Sequence, residues 1–336
     1  MTNIDEKFLL AKQVLGQIKL GILAGGYSSE SHGSITNAHA LLPYFQRICQ
    51  SAAIIEYDGK PSLATRLTKC DFVLNICYGV GGEDGQIQGL MSSLEIPYSG
   101  SPVLASAIGM DKNVFKAMVR SWGFAAPNGR LVSSLDPDLT KNQDLKSGPF
   151  VVKPLSEGDS EGIVFVDSLD NLAMVIDDIP KASHKNWMVE EYIQGDHGTV
   201  SMFRDEDGLY ISDAIVFDLP DGHRLYDQAL KYRIDNPISI HLLEPAVAER
   251  LESEISMMYM ALQCEGVARF DYVIRSGTPH YLEINTIPGL YPGSNSSRCF
   301  SRTMSFEQFL YISTAANIRR SKSSSIRRLY AKGGDV

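Results

Sequence analysis

The segment RFDYVIRSGTPHYLEINTIPG holds the densest group of side chains able to do chemistry in this chain. Two runs rich in β-branched and aromatic residues meet at a turn around Ser276, Gly277 and Thr278. Pairing symmetric about Gly277 sets Arg269 opposite Asn285 and Asp271 opposite Glu283. Strand side chains alternate, so these four polar groups share one face while Phe270, Tyr272, Leu282 and Ile284 share the other. Two carboxylates directly opposed destabilise a strand pair by up to about 1 kcal/mol unless something neutralises them. A hard divalent cation would do so, because Asp, Glu and an Asn carbonyl are oxygen ligands of the kind magnesium takes alongside substrate phosphates. The competing reading is the solvated outer face of an edge hairpin. The TIPGL that follows weighs against it, since a glycine turn there can aim backbone N–H groups into the same cleft.

A second candidate is KPLSEGDSEGI, where Lys153 precedes a loop containing Gly158, Gly162, Ser156, Glu157, Asp159 and Ser160. The glycines let the backbone turn and present N–H groups to phosphate oxygens, and the lysine adds a compact positive charge. This is not the P-loop pattern, and an ordinary hairpin turn has the same composition. Asp159 would repel a nucleotide. Lys112, in GMDKNVFKAMV, opens a helical segment and suits either a surface or a phosphate role. In WMVEEYI the backbone could meet a purine edge, or the glutamates could protect an edge strand from aggregation.

These groups need elements to hold them. IKLGILAGG reads as a buried parallel strand entering a glycine turn, and SITNAHALLPYF follows with helical spacing. The alternation continues through SAAIIEYDG, DFVLNICYGVGGEDG with QIQGLMSSLEI, and IPYSG before VLASAIGMDKNVFKAMVRSWG. That pattern predicts a doubly wound α/β unit over residues 1–110. GPFVVKPLSEGDSEGIVFVDS reads as an antiparallel hairpin, and WMVEEYIQGDHGTVSMFRD, LYISDAIVFDL, VARFDYVIRS and PHYLEIN continue in strands around the helix PAVAERLESEISMMYMALQCEG. A small central α+β domain over 111–197 and a larger antiparallel-sheet domain over 198–315 are therefore expected. The basic, serine-rich tail at 316–336 reads as a peripheral helix or a mobile end.

Composition narrows the function classes. The 336 residues are 44% hydrophobic and carry a formal net charge of −9, which allows a large core and argues against nucleic acid as the main partner. No apolar run approaches the roughly 20 residues that span a bilayer, and the start MTNIDEKFLLAK lacks a signal-peptide pattern, so a cytoplasmic protein with small-molecule partners and no membrane partner is expected. The five cysteines are scattered, without close-pair metal spacing, and read as reduced thiols.

In order, these segments resemble the D-alanine–D-alanine ligase branch of the ATP-grasp superfamily over roughly residues 18–300. The resemblance implies the ATP-grasp fold, with ATP and magnesium as cofactors and manganese as a substitute metal. GGYSSES is similar to the loop whose glutamate, Glu30 here, contacts the first substrate's ammonium. The run IPYSGSPVLASAIGMDK implies an ATP-binding lysine at Lys112, and VVKPLSEGDSEG the hairpin covering the phosphates with Lys153, Glu157, Gly158 and Ser160. EEYI would supply adenine contacts through Glu190, Glu191 and Ile193, and LYDQALKY the mobile loop ending in Lys231 and Tyr232. Asp271, Glu283 and Asn285 would hold the metal, Arg269 and the Gly289 N–H would stabilise an oxyanion, and Ser294 would meet the second substrate's carboxylate. A homodimer is the family habit.

The chain departs from that pattern in five places. Tyr78 replaces an expected histidine near the first amino acid, and Asp159 an expected serine beside Glu30. His197 stands where an acid usually holds the ribose. LYPGSNSS, with Gly293 and Asn295 around Ser294, replaces the usual histidine–serine–leucine arrangement, and the lead-in and tail are extra. The expected activity is ATP-dependent joining of a carboxylate to an amine through an acyl phosphate. The substrate positions point to altered amino acids or natural-product precursors. Genuine D-alanine–D-alanine ligation, intramolecular ring closure and a non-catalytic nucleotide-binding role are the alternatives. A dinucleotide-dependent dehydrogenase would need GxGxxG, which is lacking.

Overall fold

Three sheets carry the chain, and each answers to one kind of hydrophobic pattern. The computed structural model describes residues 3–132, 148–156, 158, 160, 162–178, 186–231 and 238–332. The first part contains α1 (Ile4–Leu15), β1 (Lys19–Gly25), α2 (Ser31–Gln46), β2 (Ser51–Tyr57), α3 (Ser62–Leu67), β3 (Phe72–Asn75), α4 (Gln86–Ser93) and α5 (Val103–Met110). Its strands form a parallel sheet in the order β2–β1–β3. β1 is buried along its whole length after Lys19, as a parallel strand covered on both faces requires. The short IPYSG contributes a single parallel bridge from Tyr98 to Val73.

The second sheet is antiparallel, in the order β4–β7–β5–β6, from β4 (Gly129–Val132), β5 (Phe150–Pro154), β6 (Val164–Val166) and β7 (Trp187–Glu191). α6 (Lys112–Ser121) precedes it in sequence, and α7 (Leu169–Asp178) lies between β6 and β7. The third contains β8 (Asp196–Arg204), β9 (Leu209–Ile211), β10 (Ile215–Phe217), β11 (Ile240–Leu242), β12 (Ala268–Arg275) and β13 (Thr278–Asn285). Its order is β11–β10–β8–β12–β13, with β9 on β8. Around it run α8 (Gln228–Lys231), α9 (Pro245–Ala261), α10 (Asn295–Phe300) and α11 (Phe306–Lys332). The expected α/β unit followed by α+β architecture is present, and the short strands β4 and β11 are additions to it.

The β12–β13 hairpin follows the expected register at Arg269–Asn285 and Asp271–Glu283, then slips between Asp271 and Tyr272. Tyr272 pairs with Tyr281, and the turn contracts to Ser276 and Gly277, whose φ values of 51° and 72° suit a two-residue hairpin turn. One expectation is thereby corrected: Tyr281, at 0% exposure, takes the core position beside Tyr272, while Leu282 lies on the cavity side with Glu283. A one-residue bulge reverses the face of everything beyond it. Phe270, Tyr272, Tyr281 and Ile284 pack with Leu251, Ile255, Met258 and Tyr259 of α9 and with Phe115 of α6, which makes the hairpin a rigid platform.

The first and last helices meet. α11 buries Phe309, Leu310, Tyr311 and Ile312 in the same core as Leu15 of α1 and Phe45 of α2, and continues as a helix to Lys332. Lys7 of α1 reaches the β8–β9 turn, with its ammonium 2.5 Å from both Asp205 and Asp207. Among the described residues no helix is long and apolar enough to cross a membrane.

Candidate active site

A cavity lies between the second and third sheets. β5 and β7 and the residues after them supply Val151, Lys153 and Glu190 to Ile193; β12 and β13 supply Arg269, Asp271, Leu282 and Glu283. Ser160, Leu225, Tyr226, Lys231 and Asn295 also line it. Tyr226 stacks on Phe217 with centroids 3.9 Å apart, Ser160 Oγ donates to the Tyr226 carbonyl at 3.2 Å, and the Arg224 guanidinium lies over the Phe165 ring. The 224–231 segment is therefore seated against both sheets.

Asp271 and Glu283 face one another at the expected register, and cations surround them. Arg269 donates from Nε and Nη2 to the two oxygens of Asp271 at 2.9 and 2.8 Å, Thr199 donates its hydroxyl at 2.6 Å and Asn285 its amide at 3.1 Å. The Lys112 ammonium is 3.4 Å from Glu283, placed at the first turn of α6 by Asp111, whose carboxylate caps the helix. Burial would push the Glu283 carboxyl up, yet Lys112, Lys153, Lys231 and Arg269 hold it far below the usual carboxylate range. Glu283 is therefore ionised. Among the described residues no group of three or more His, Cys, Asp or Glu is placed to hold a metal ion.

Strand pairing places Val151 opposite Glu190, so Lys153, two residues further on, lies on the same face as Glu190. Lys153 Nζ is 2.5 Å from Glu190 Oε1, and Lys116 of α6 pairs with Oε2 of the same acid. Burial alone would raise the Glu190 carboxyl, but the two lysines hold it below its ordinary value. Burial together with the neighbouring Lys153 pushes Lys116 down to about 7, against the pull of Glu190. The Glu191 carboxylate accepts from the Asn128 backbone N–H at 3.0 Å, and residues 190–193 line the cavity. Ile193 is buried in its lining.

His197, on β8 opposite Val273, is buried. Burial pushes its ring down to about 4, so it is neutral at physiological pH, and its Nε2 has no hydrogen-bond partner among the described residues. It stands where the cavity joins a more open one of about 620 Å³, with Tyr192 and Phe217 also shared between them. A hydroxyl donor there would satisfy the orphaned nitrogen.

The remaining candidates lie towards the first sheet. Glu30, at the start of α2, packs against Gly158 of the β5–β6 connection. Tyr78 is buried, and its hydroxyl accepts from the Asn37 amide at 3.4 Å. Ser294 caps α10 by accepting from the Ser297 N–H at 3.3 Å, and Gly289 packs on Tyr291 and Ser294. Asn295 bonds to Tyr226. Glu157, Asp159 and Tyr232 lie outside the described residues.

Sequence reasoning missed Lys116, Thr199 and Glu83. Burial and the nearby Glu30 push the Glu83 carboxyl up to about 8. Its position in GVGGEDG, between two glycines and a helix start, was the available signal. Thr199 carried none, since an alternating strand threonine is commonplace.

A sequence profile of the D-ala D-ala ligase C-terminus matches residues 134–311. A D-alanine–D-alanine ligase of Bacillus anthracis is 32% identical over 279 residues, covering 82% of this chain and 89% of that protein. One from Anaeromyxobacter sp. strain K is 32% identical and covers 81% of this chain and 87% of its own. The crystal structure of D-alanine–D-alanine ligase from Bacillus anthracis complexed with ATP superposes with a TM-score of 0.76 at 28% identity, over 92% of this chain and 99% of that one.

Proposed function

Because the chain belongs to the D-alanine–D-alanine ligase family, we propose that its cavity joins two D-alanine molecules with ATP, through an acyl phosphate. The observation that carries this reading is the opposition of Asp271 and Glu283 inside a ring formed by Arg269, Lys112, Lys153 and Lys231. Such a ring suits a triphosphate and a metal ion better than any uncharged ligand.

The purine lies against the backbone of 190–193 and the ribose beside His197. Lys112, Lys153 and Lys231 take the phosphates. Asp271, Glu283 and Asn285 would hold magnesium, or manganese in its place, and the ion would draw charge from the phosphates. The first amino acid, its ammonium on Glu30, presents its carboxylate to the γ-phosphorus. The new O–P bond forms as the bond to the ADP oxygen breaks. The amine of the second amino acid, its carboxylate near Ser294, then attacks the acyl carbon. Its proton passes to the phosphate that departs as the C–O bond breaks. Arg269, fixed by its two bonds to Asp271, and the Gly289 N–H meet the oxyanion, a contact of a kind worth roughly 3 kcal/mol. Seating of the 224–231 segment excludes water from the acyl phosphate.

The relatives' shared name favours D-alanine for both positions over the altered pair expected from sequence. An altered first amino acid remains the second reading, on the ground that the buried Tyr78 ring lies within electrostatic reach of Glu30, the residue assigned to that substrate's ammonium. Phosphate release across D- and L-amino acids, with mass spectrometry of products, separates them. D-alanyl-D-alanine as the dominant product supports the first reading; a different dipeptide at comparable or higher rate overturns it.

A further inference from the structure

Lys116, Glu190 and Lys153 form a buried triad, with exposures of 1%, 2% and 5%. Glu190 and Lys153 line the cavity, whereas Lys116 approaches from α6 and does not. Each lysine holds a different oxygen of the same carboxylate.

We infer that Lys116 is a positioning residue for Lys153: by holding one oxygen of Glu190, it lets Lys153 leave the other for a nucleotide phosphate without stranding a buried acid. The inference rests on the nucleotide reading above. A buried carboxylate stripped of its only cation is strongly disfavoured. With Lys153 as sole partner, Glu190 would compete with the phosphate for that ammonium. The second lysine eases the competition, since Lys116 stays hydrogen-bonded to Glu190 and, once Lys153 turns away, is relieved of the neighbouring charge that disfavours its own proton. Lys153 is the lysine that lines the cavity. A merely structural clamp between α6 and β7 would need only the pair, and it would not couple to nucleotide affinity.

The test is direct titration of the full chain with a non-hydrolysable ATP analogue and magnesium, without amino acids, in the wild type, Lys116→Met and the double variant Lys116→Met/Glu190→Gln. Lys116→Met should weaken binding by about tenfold or more, because Glu190 now retains Lys153. The double variant, which no longer has an acid to hold that lysine, should return to within about threefold of the wild type. Equal affinity in wild type and Lys116→Met, or a double variant as weak as the single, overturns the inference. Should Lys116→Met fail to fold, a folded double variant with near-wild-type affinity supports it, and failure of both variants to fold overturns it. Absence of binding by the wild type overturns the nucleotide reading itself, and the inference with it.

Discussion

Gly158 faces Glu30 so closely that a Cβ built on the glycine would stand 2.3 Å from Glu30 Oε1. The β5–β6 connection and the start of α2 thus meet at a point that admits no side chain. The clashing atom is the end of a flexible carboxylate, so Gly158→Ala should displace Glu30 rather than unfold the protein, costing about 1 kcal/mol or less. The KM of the first amino acid should rise by roughly tenfold while nucleotide affinity is unchanged. Steady-state kinetics check this; an unaltered amino-acid KM would show that Glu30 does not touch that substrate.

Asp271 is held by Arg269, Thr199 and Asn285, and Glu283 is paired with Lys112. Glu283→Gln should lower ATP-dependent phosphate release by about two orders of magnitude or more, since metal charge stabilisation is worth several kcal/mol. Asp271→Asn should behave similarly and should recover partly as magnesium is raised. Activity insensitive to magnesium concentration in both variants would argue that these acids serve the fold alone.

Glu83 offers a pH-dependent signature. Its carboxyl sits at about 8 in the folded chain, against 4.5 for the ordinary group, first through burial and then through Glu30. A raised acid binds its proton more tightly when folded, so its contribution is present below the ordinary value and is lost as pH rises through about 8. Glu83→Gln, which cannot ionise, should therefore gain roughly 3 kcal/mol relative to the wild type between pH 5 and pH 8. Urea unfolding at the two pH values reads the difference; equal offsets at both would place the Glu83 carboxyl near its ordinary range.

Lys7 joins α1 to the β8–β9 turn through Asp205 and Asp207, and its ammonium also lies 4.8 Å from the Tyr210 ring centroid. Lys7→Met leaves two facing acids without their shared cation and should cost about 1–2 kcal/mol, less than a fully buried pair because Asp207 is half exposed. The measurement is chemical unfolding, and phosphate release at saturating substrates should stay unchanged. A stability equal to wild type would mean that α1 is held by its apolar face alone.

The residues themselves determined what is local. Alternation over eight residues and a two-glycine loop are enough to place Asp271 against Glu283, and Lys153 ahead of its glycines, because strand period and turn chemistry are short-range. The parallel sheet was legible for the same reason, from strands apolar on both faces. Only the folded chain decided that Leu282 rather than Tyr281 turns to the cavity, since a single bulge leaves no mark on the alternation before it. Lys116 is an unremarkable polar position on α6 until the fold brings Glu190, 74 residues away, against it. The burial of α11 beside α1 likewise depends on a core assembled from both ends of the chain. Side-chain charge and period can be read along the sequence, but the partner that neutralises a buried charge is chosen by packing across it.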